Sequence, residues 1–203
     1  MSWSTYVALG DSLTAGRGDE GRDGRPVGFA QRLADILSVR TAVRCRLINL
    51  AVDGATAGQV LGKQLPAVTA CRPDLVSVTV GMNDVRVRGF DELRFKADLG
   101  QLLEALAATQ ATVLTCTLPD VTAAMALSPE LAEVARERLR LASDIIREQA
   151  ESYGALCVDA WAMPEDADPE LYGPDHVHLG SRGHQLMAAA CADKLAPRSL
   201  ALR

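Results

Sequence analysis

Leu75-Val76-Ser77-Val78-Thr79-Val80 is the run that decides the fold. Side chains alternate along a strand, so one with a wet face would carry apolar residues on the other face alone. Here Leu75 lies on one face and Val76, Val78 and Val80 on the other, as in a parallel strand covered by helices on both sides. Working outward, similar short runs occupy Tyr6–Leu9, Cys45–Leu50, Thr112–Thr117 and Leu156–Val158. Between them the apolar spacing is helical, around Phe29–Leu37, Gly58–Thr69, Phe90–Ala108 and Pro129–Ser152, with a last helix over Ser181–Leu195. Within Leu131–Tyr153 the stripe runs Leu131, Val134, Ala135, Leu139, Ala142, Ile145, Ile146, and Ser128-Pro129 has the form of an N-cap followed by a first-turn proline. Strand–helix alternation predicts an α/β fold of about five parallel strands between two helical layers. Ligands bind such sheets at the carboxyl ends of the strands, so the segments that follow the strands are where chemistry is expected.

The 203 residues suit one domain spanning 1–203, with no repeat, linker or low-complexity tract. The hydrophobic share is 48% and the charged share 23%, ordinary for a globular chain, and no apolar stretch is long enough to span a bilayer. Met1–Thr5 lacks the pattern of a secretory signal, and Cys45, Cys71, Cys116, Cys157 and Cys191 are odd in number without a CxxC pair. Both features lead us to expect reduced thiols and a cytoplasmic location. A net charge of −5 with no basic cluster argues against a nucleic-acid partner, and no membrane partner is expected either. Nothing specifies an oligomeric state.

Three post-strand segments carry reactive groups. Tyr6-Val7-Ala8-Leu9 runs into Gly10-Asp11-Ser12-Leu13, presenting a serine where the first strand gives way to a loop. Gly54 follows the second strand, and Gly81-Met82-Asn83-Asp84 follows the third. A serine hydroxyl is a poor nucleophile near neutral pH without a base. His178 is the candidate base, because Asp175 lies three residues earlier on a proline-preceded turn and can reach the ring's Nδ1. A tetrahedral oxyanion needs fixed donors, for which the Ser12 N–H, the Gly54 N–H and the Asn83 side-chain amide are candidates. The order Ser, Asp, His is that of α/β-hydrolases, but Gly10-Asp11-Ser12-Leu13-Thr14 is not a G-x-S-x-G elbow and it follows the first strand.

Gly10-Asp11-Ser12-Leu13, Gly54, Gly81-Met82-Asn83-Asp84 and Asp175-x-x-His178 together resemble the four sequence blocks of the SGNH, or GDSL, hydrolases, in order and across nearly the whole chain. The resemblance implies a flavodoxin-like three-layer α/β/α fold, Ser12 as nucleophile, His178 as base oriented by Asp175, and Ser12, Gly54 and Asn83 around the oxyanion. It also implies a small-molecule ester or thioester substrate and no cofactor. The last block departs from the frequent Asp-Gly-x-His-Pro, reading Asp175-His176-Val177-His178-Leu179, and Asp53 precedes the glycine of the second. An acyltransferase on the same site and an inert binding module are the alternatives.

Other features have plainer readings. Asp84 is expected to tie its loop through backbone hydrogen bonds, and His184 to be structural. His176-x-His178 with Asp175 lacks a second ligand cluster, so no metal is expected. Gly16-Arg17-Gly18-Asp19-Glu20-Gly21 matches a dinucleotide fingerprint but leads into a charged loop, not a helix. That loop, 17–26, and the acidic 164–169 are expected to be solvated, with a cover over the site as the alternative. Arg86 and Arg88 are read as solvated, and Trp161 and Met163 as either core or acyl-pocket residues.

Overall fold

In a computed structural model of the protein, which describes residues 3–21, 24–86, 89–123, 125, 127–162, 169–175 and 177–196, five strands form one parallel sheet. They are β1 (Thr5–Gly10), β2 (Arg46–Asn49), β3 (Leu75–Thr79), β4 (Thr112–Cys116) and β5 (Leu156–Val158), in the order β2-β1-β3-β4-β5. That is the flavodoxin-like order. Helices α1 (Ser12–Ala15), α2 (Gly28–Thr41), α3 (Ala57–Gln59), α4 (Leu65–Cys71), α5 (Met82–Arg86), α6 (Glu92–Ala107), α7 (Pro129–Ser152) and α8 (Ser181–Lys194) connect and cover the strands. No helix among the described residues is long and apolar enough to cross a membrane.

Alternation along β1 shows how the layers form. Tyr6 and Ala8 face a core built with α2 and α8 residues such as Phe29, Leu33 and Met187. Val7 and Leu9 face the opposite core, where they join Val60, Val68, Leu99, Leu102 and Ile146 from α6, α7 and the helical segment after β2. Polar side chains inside the sheet are satisfied: Tyr6 of β1 and Ser77 of β3 share a 2.6 Å hydroxyl–hydroxyl bond, and Thr115 of β4 donates to the Val78 carbonyl at 2.8 Å. A one-residue slip of β1 would turn Tyr6 away from Ser77 and strand a buried hydroxyl, at a cost of about 1–3 kcal/mol. This makes the register of Tyr6 opposite Leu75 specific.

The strand order reverses at β1, which pairs with β2 on one side and β3 on the other, so a crevice opens between the carboxyl ends of β1 and β3. Three details differ from the sequence expectation. Ser12 opens a short helix, α1, and Asn83 is the second residue of another, α5, where loops were expected. The helix expected over Gly58–Thr69 contains a π-helical turn, Val60–Gln64, between α3 and α4. On α7 the apolar stripe is buried from Leu139 onward, whereas Leu131 and Val134 are 60% and 48% exposed. Those two residues lie in the first turns of α7, which start at the carboxyl edge of the sheet.

Candidate active site

The turn after β1 is built around Gly10. Its φ of +145° is open to glycine, and a Cβ there would lie 2.4 Å from the Thr79 carbonyl oxygen. Gln64, buried in the π-helical turn, grips Gly10 at both ends: the Gly10 N–H donates to its Oε1 at 2.9 Å, and its Nε2 donates to the Gly10 carbonyl at 2.8 Å. Asp11 then caps α1, its Oδ1 accepting the Leu13 N–H at 3.0 Å. The Thr14 hydroxyl is bonded to that of Thr79, joining α1 to β3. Ser12 is thus the first residue of a helix pinned to its own strand and to the neighbouring one.

His178 arrives from the other end of the chain. Tyr172 bridges Leu179 in antiparallel fashion, with Gly173 N–H donating to the His178 carbonyl at 2.7 Å. Asp175 folds the tip: its Oδ1 accepts the N–H of Val177 at 3.1 Å and of His178 at 3.0 Å, while Oδ2 stands 2.6 Å from His178 Nδ1. His178 Nε2 lies 2.9 Å from Ser12 Oγ. Partial desolvation raises the Asp175 carboxyl, but the hydrogen bonds from the His178 backbone and ring and the Val177 N–H outweigh it and hold the group well below the usual carboxylate range. A carboxylate at Nδ1 selects the tautomer with a bare Nε2, which can take the Ser12 proton.

Asn83 Nδ2 donates to Asp11 Oδ2 at 3.0 Å and to the Ala55 carbonyl at 3.1 Å. Both carboxylate oxygens of Asp84 accept the Ala57 N–H at 3.2 Å, so Asp84 ties α5 to the loop after β2. Burial pushes the Asp11 carboxyl up to about 6; the Leu13 N–H and the His178 charge oppose this, and Asp84 adds to it. Gly54 sits on the same loop with φ +75° and nothing within 4 Å of a Cβ, so conformation, not crowding, favours glycine there.

Ser12, Asn83 and His178 line one cavity of about 70 Å³, with apolar walls that include Val80, Met82, Leu118, Val121 and Tyr172. Gly54 is not among the residues lining it. Met82, Val121 and Val177 also line an adjoining surface groove with the exposed Leu131 and Val134. Arg86 lines the cavity and Trp161 does not, packing instead against the core; Met163 and Arg88 lie outside the described residues.

His184 is buried, its Nδ1 accepting the Phe29 N–H at 3.1 Å and its Nε2 donating to the Arg17 carbonyl at 3.0 Å. It is a structural tie between α8 and the segment after α1, and burial pushes its pKa down. The expectation of a solvated 17–26 loop fails at its start. Asp19 is 2% exposed and holds Arg32 through two bonds of 2.7 and 2.8 Å, and a Cβ on Gly18 would lie 2.4 Å from the Leu179 carbonyl oxygen. This segment therefore packs under the His178 loop. His176 and residues 164–168 are outside the described residues, and among the described residues no group of three His, Cys, Asp or Glu side chains could hold a metal ion. Gln64 and Asp11 were missed from sequence. The one available signal for Gln64 was its place in line with Val60 and Val68 on an otherwise apolar helical face.

The model of the GDSL-like lipase/acylhydrolase family matches residues 8–186. The chain belongs to that family. It is an ester hydrolase of the SGNH/GDSL type, and a catalytic triad and oxyanion hole are typical of the group. A curated relative, an acetylxylan esterase from Geobacillus stearothermophilus, is 27% identical over 206 residues, 93% of this chain and 92% of that protein. Among solved structures, an acetylxylan esterase from the same organism superposes with a TM-score of 0.78 at 20% identity over 97% of this chain and 96% of the other. An α/β hydrolase enzyme from the metagenome of Lake Arreo gives 0.76 at 24% identity over 97% and 98%. The psychrotrophic esterase EstA from Pseudoalteromonas sp. gives 0.73 at 19% identity over 95% and 96%. These structural likenesses share the three-layer fold with this GDSL-family chain.

Proposed function

We propose that the protein hydrolyses esters of short acyl groups through an acyl-enzyme on Ser12. The observation that carries this reading is the chain of two hydrogen bonds, Ser12 Oγ to His178 Nε2 at 2.9 Å and His178 Nδ1 to Asp175 Oδ2 at 2.6 Å. His178 takes the serine proton as Oγ attacks the acyl carbon, and Asp175 stabilises the resulting imidazolium. The oxygen that becomes negative is received by the Ser12 N–H, the Gly54 N–H and the Asn83 amide. The imidazolium protonates the departing alcohol. Water, deprotonated by His178, then attacks the acyl-enzyme; the bond to Oγ breaks, the imidazolium returns the proton to Ser12, and the acid leaves.

The cavity beside Ser12 supports a short acyl group. At roughly 10–15 Å³ for each water-sized centre, about 70 Å³ holds on the order of five, the size of an acyl group of two to four carbons. Its apolar walls suit the alkyl part, and the exposed mouth leaves the alcohol outside. The relatives include acetylxylan esterases, in keeping with an acetyl-sized acyl group. An odd number of scattered cysteines with no CxxC pair suits a reducing compartment, and the reading puts the enzyme in the cytoplasm without a cofactor.

Hydrolysis of p-nitrophenyl esters from acetate to laurate, by the wild type and Ser12→Ala, tests the reading. We expect the highest kcat/KM at two to four carbons and a loss of at least about 10⁴-fold on substitution. Equal rates for the two proteins would remove Ser12 from the mechanism; a laurate optimum would refute the short-acyl assignment while leaving the nucleophile in place.

A further inference from the structure

The side-chain nitrogen of Asn83 has two hydrogens, and both are engaged: one at Asp11 Oδ2, 3.0 Å away, the other at the Ala55 carbonyl, 3.1 Å away. Asp11 is itself divided, because its other oxygen accepts the Leu13 N–H at 3.0 Å. A single carboxylate, 4% exposed, therefore measures the distance between the helix that starts at Ser12 and the amide expected to meet the oxyanion. Ala55, one residue after Gly54, fixes the second axis of the same amide. The nucleophile turn, α5 and the loop after β2 come from sequence positions about 11, 83 and 55, and they share one point of reference.

We propose that Asp11 is a positioning residue that acts through Asn83. It holds the amide nitrogen over the mouth of the Ser12 cavity, so that one of its hydrogens can be shared with the oxygen that becomes negative in the transition state. The proposal rests on the reading of Asn83 as an oxyanion donor. Only an acceptor with two oxygens serves here. In Asp11→Asn the new NH2 must face either the Asn83 NH2 or the Leu13 N–H, so one of the two bonds is replaced by a donor–donor contact. The amide then swings, and a misplacement of the order of 1 Å is enough to lose about 10²-fold in rate.

The test is a double-mutant cycle on kcat at pH 8 with p-nitrophenyl acetate, using Asp11→Asn, Asn83→Ala and the double variant. Expected are a loss of about 10²-fold in kcat for Asp11→Asn with KM within about 3-fold, and a loss of about 10²–10³-fold for Asn83→Ala. The double variant should fall within about 3-fold of Asn83→Ala, because a residue acting through Asn83 has nothing left to act on. Losses that multiply in the double variant, or an Asp11→Asn enzyme with wild-type kcat, overturn the proposal and leave the oxyanion reading intact. Wild-type kcat in Asn83→Ala overturns the oxyanion reading itself, and the proposal with it.

A second measurement does not depend on Asp11→Asn folding. In His178→Ala protein, the Asn83 side-chain amide resonances are followed by NMR from pH 4.5 to 8 beside the carboxyl carbons of Asp11 and Asp84. Among the described residues, Asp84 and His178 are the charged groups that act most strongly on Asp11, and Arg86 of α5 lines the same cavity. Amide resonances that move with the Asp11 carboxyl support the coupling; resonances that stay fixed, or that track Asp84, overturn it.

Discussion

Ser12 and His178 meet across 2.9 Å, yet the backbones that carry them are held in different ways. Gly10 is gripped by Gln64, 54 residues away, and Asp11 by Asn83, 72 residues away, and all but Asn83 of these side chains or backbones are buried. Asp175 and His178 are joined by bonds that span two or three residues, and Asp175 is 47% exposed at its side chain. A buried hydrogen bond that loses one partner leaves a desolvated group behind, at about 1–3 kcal/mol, whereas an exposed one is replaced by water. The nucleophile side is therefore fixed by the fold, and the base side by its own turn. A clash in the backbone at Gly10 should appear chiefly as lost stability, and a change in the Asp175 turn chiefly as lost rate.

The largest effect expected is kinetic. In Asp175→Asn, Oδ1 keeps the Val177 and His178 N–H groups while the new NH2 takes the place of Oδ2 and donates to Nδ1. The ring is then held as the Nε2–H tautomer, which cannot take the serine proton. We expect kcat to fall by about 10³–10⁴-fold with the melting temperature within about 2 °C of wild type. Gly10→Ala is the counterpart. A Cβ 2.4 Å from the Thr79 carbonyl oxygen, at φ +145°, should cost on the order of 4 kcal/mol, or roughly 8–16 °C in melting temperature. Thermal unfolding and steady-state kinetics on both variants check the contrast, and a melting loss in Asp175→Asn as large as in Gly10→Ala would break it.

The same division explains what was legible in the sequence. Leu75–Val80 and its four companion runs announced the parallel sheet, because burial on both faces puts apolar residues on both faces of a short run, visible within one strand. Asp175-x-x-His178 was legible because its bonds are local: a spacing of three is itself the geometry. Ser12 and Asn83 were legible as residues after strands, but the network behind them was not. The bonds Gly10–Gln64 and Asp11–Asn83 depend on how α3, α4 and α5 pack, and the π-helical turn that aims Gln64 has no period of its own. Asp19 illustrates the converse error, since a charged glycine-rich stretch reads as solvated until Arg32 from α2 arrives to neutralise it.

The two carboxylates flanking the Ser12–His178 pair should respond to pH with opposite signs. Asp11 is raised by burial from 3.8 to about 6, so its stabilising contribution is complete below pH 3.8 and is lost as pH rises towards 6, by about 3 kcal/mol in all. Asp175 is lowered, so its contribution is present above the ordinary carboxylate pKa and is lost as pH falls below it. Asp11→Asn removes the first term and keeps the second. Chemical denaturation of both proteins at pH 4 and pH 7 should show the variant gaining on the wild type by up to about 3 kcal/mol as pH rises. Asp84, also raised by burial, is present in both proteins and largely cancels. A stability difference independent of pH would mean that Asp11 is solvated, and the nucleophile side would lose its claim to be the buried half.

The smallest effect expected comes from a residue that sequence inspection singles out, Asp53, beside the candidate oxyanion glycine. It pairs with Arg17 at 3.4 Å, but both side chains are about half exposed. Screening and side-chain entropy reduce such a pair to about 0–1 kcal/mol, and the geometry here is monodentate and long, so Asp53→Ala should change stability by less than about 0.5 kcal/mol. The φ of +75° belongs to Gly54 and does not depend on this side chain, so kcat for p-nitrophenyl acetate should stay within about 2-fold. A larger loss of kcat at unchanged stability would show that Asp53 orients the Gly54 N–H. The loop after β2 would then be held from its exposed side as well as through Asn83 and Asp84, and the contrast between a buried and an exposed half of the site would have to be drawn through Gly54 itself.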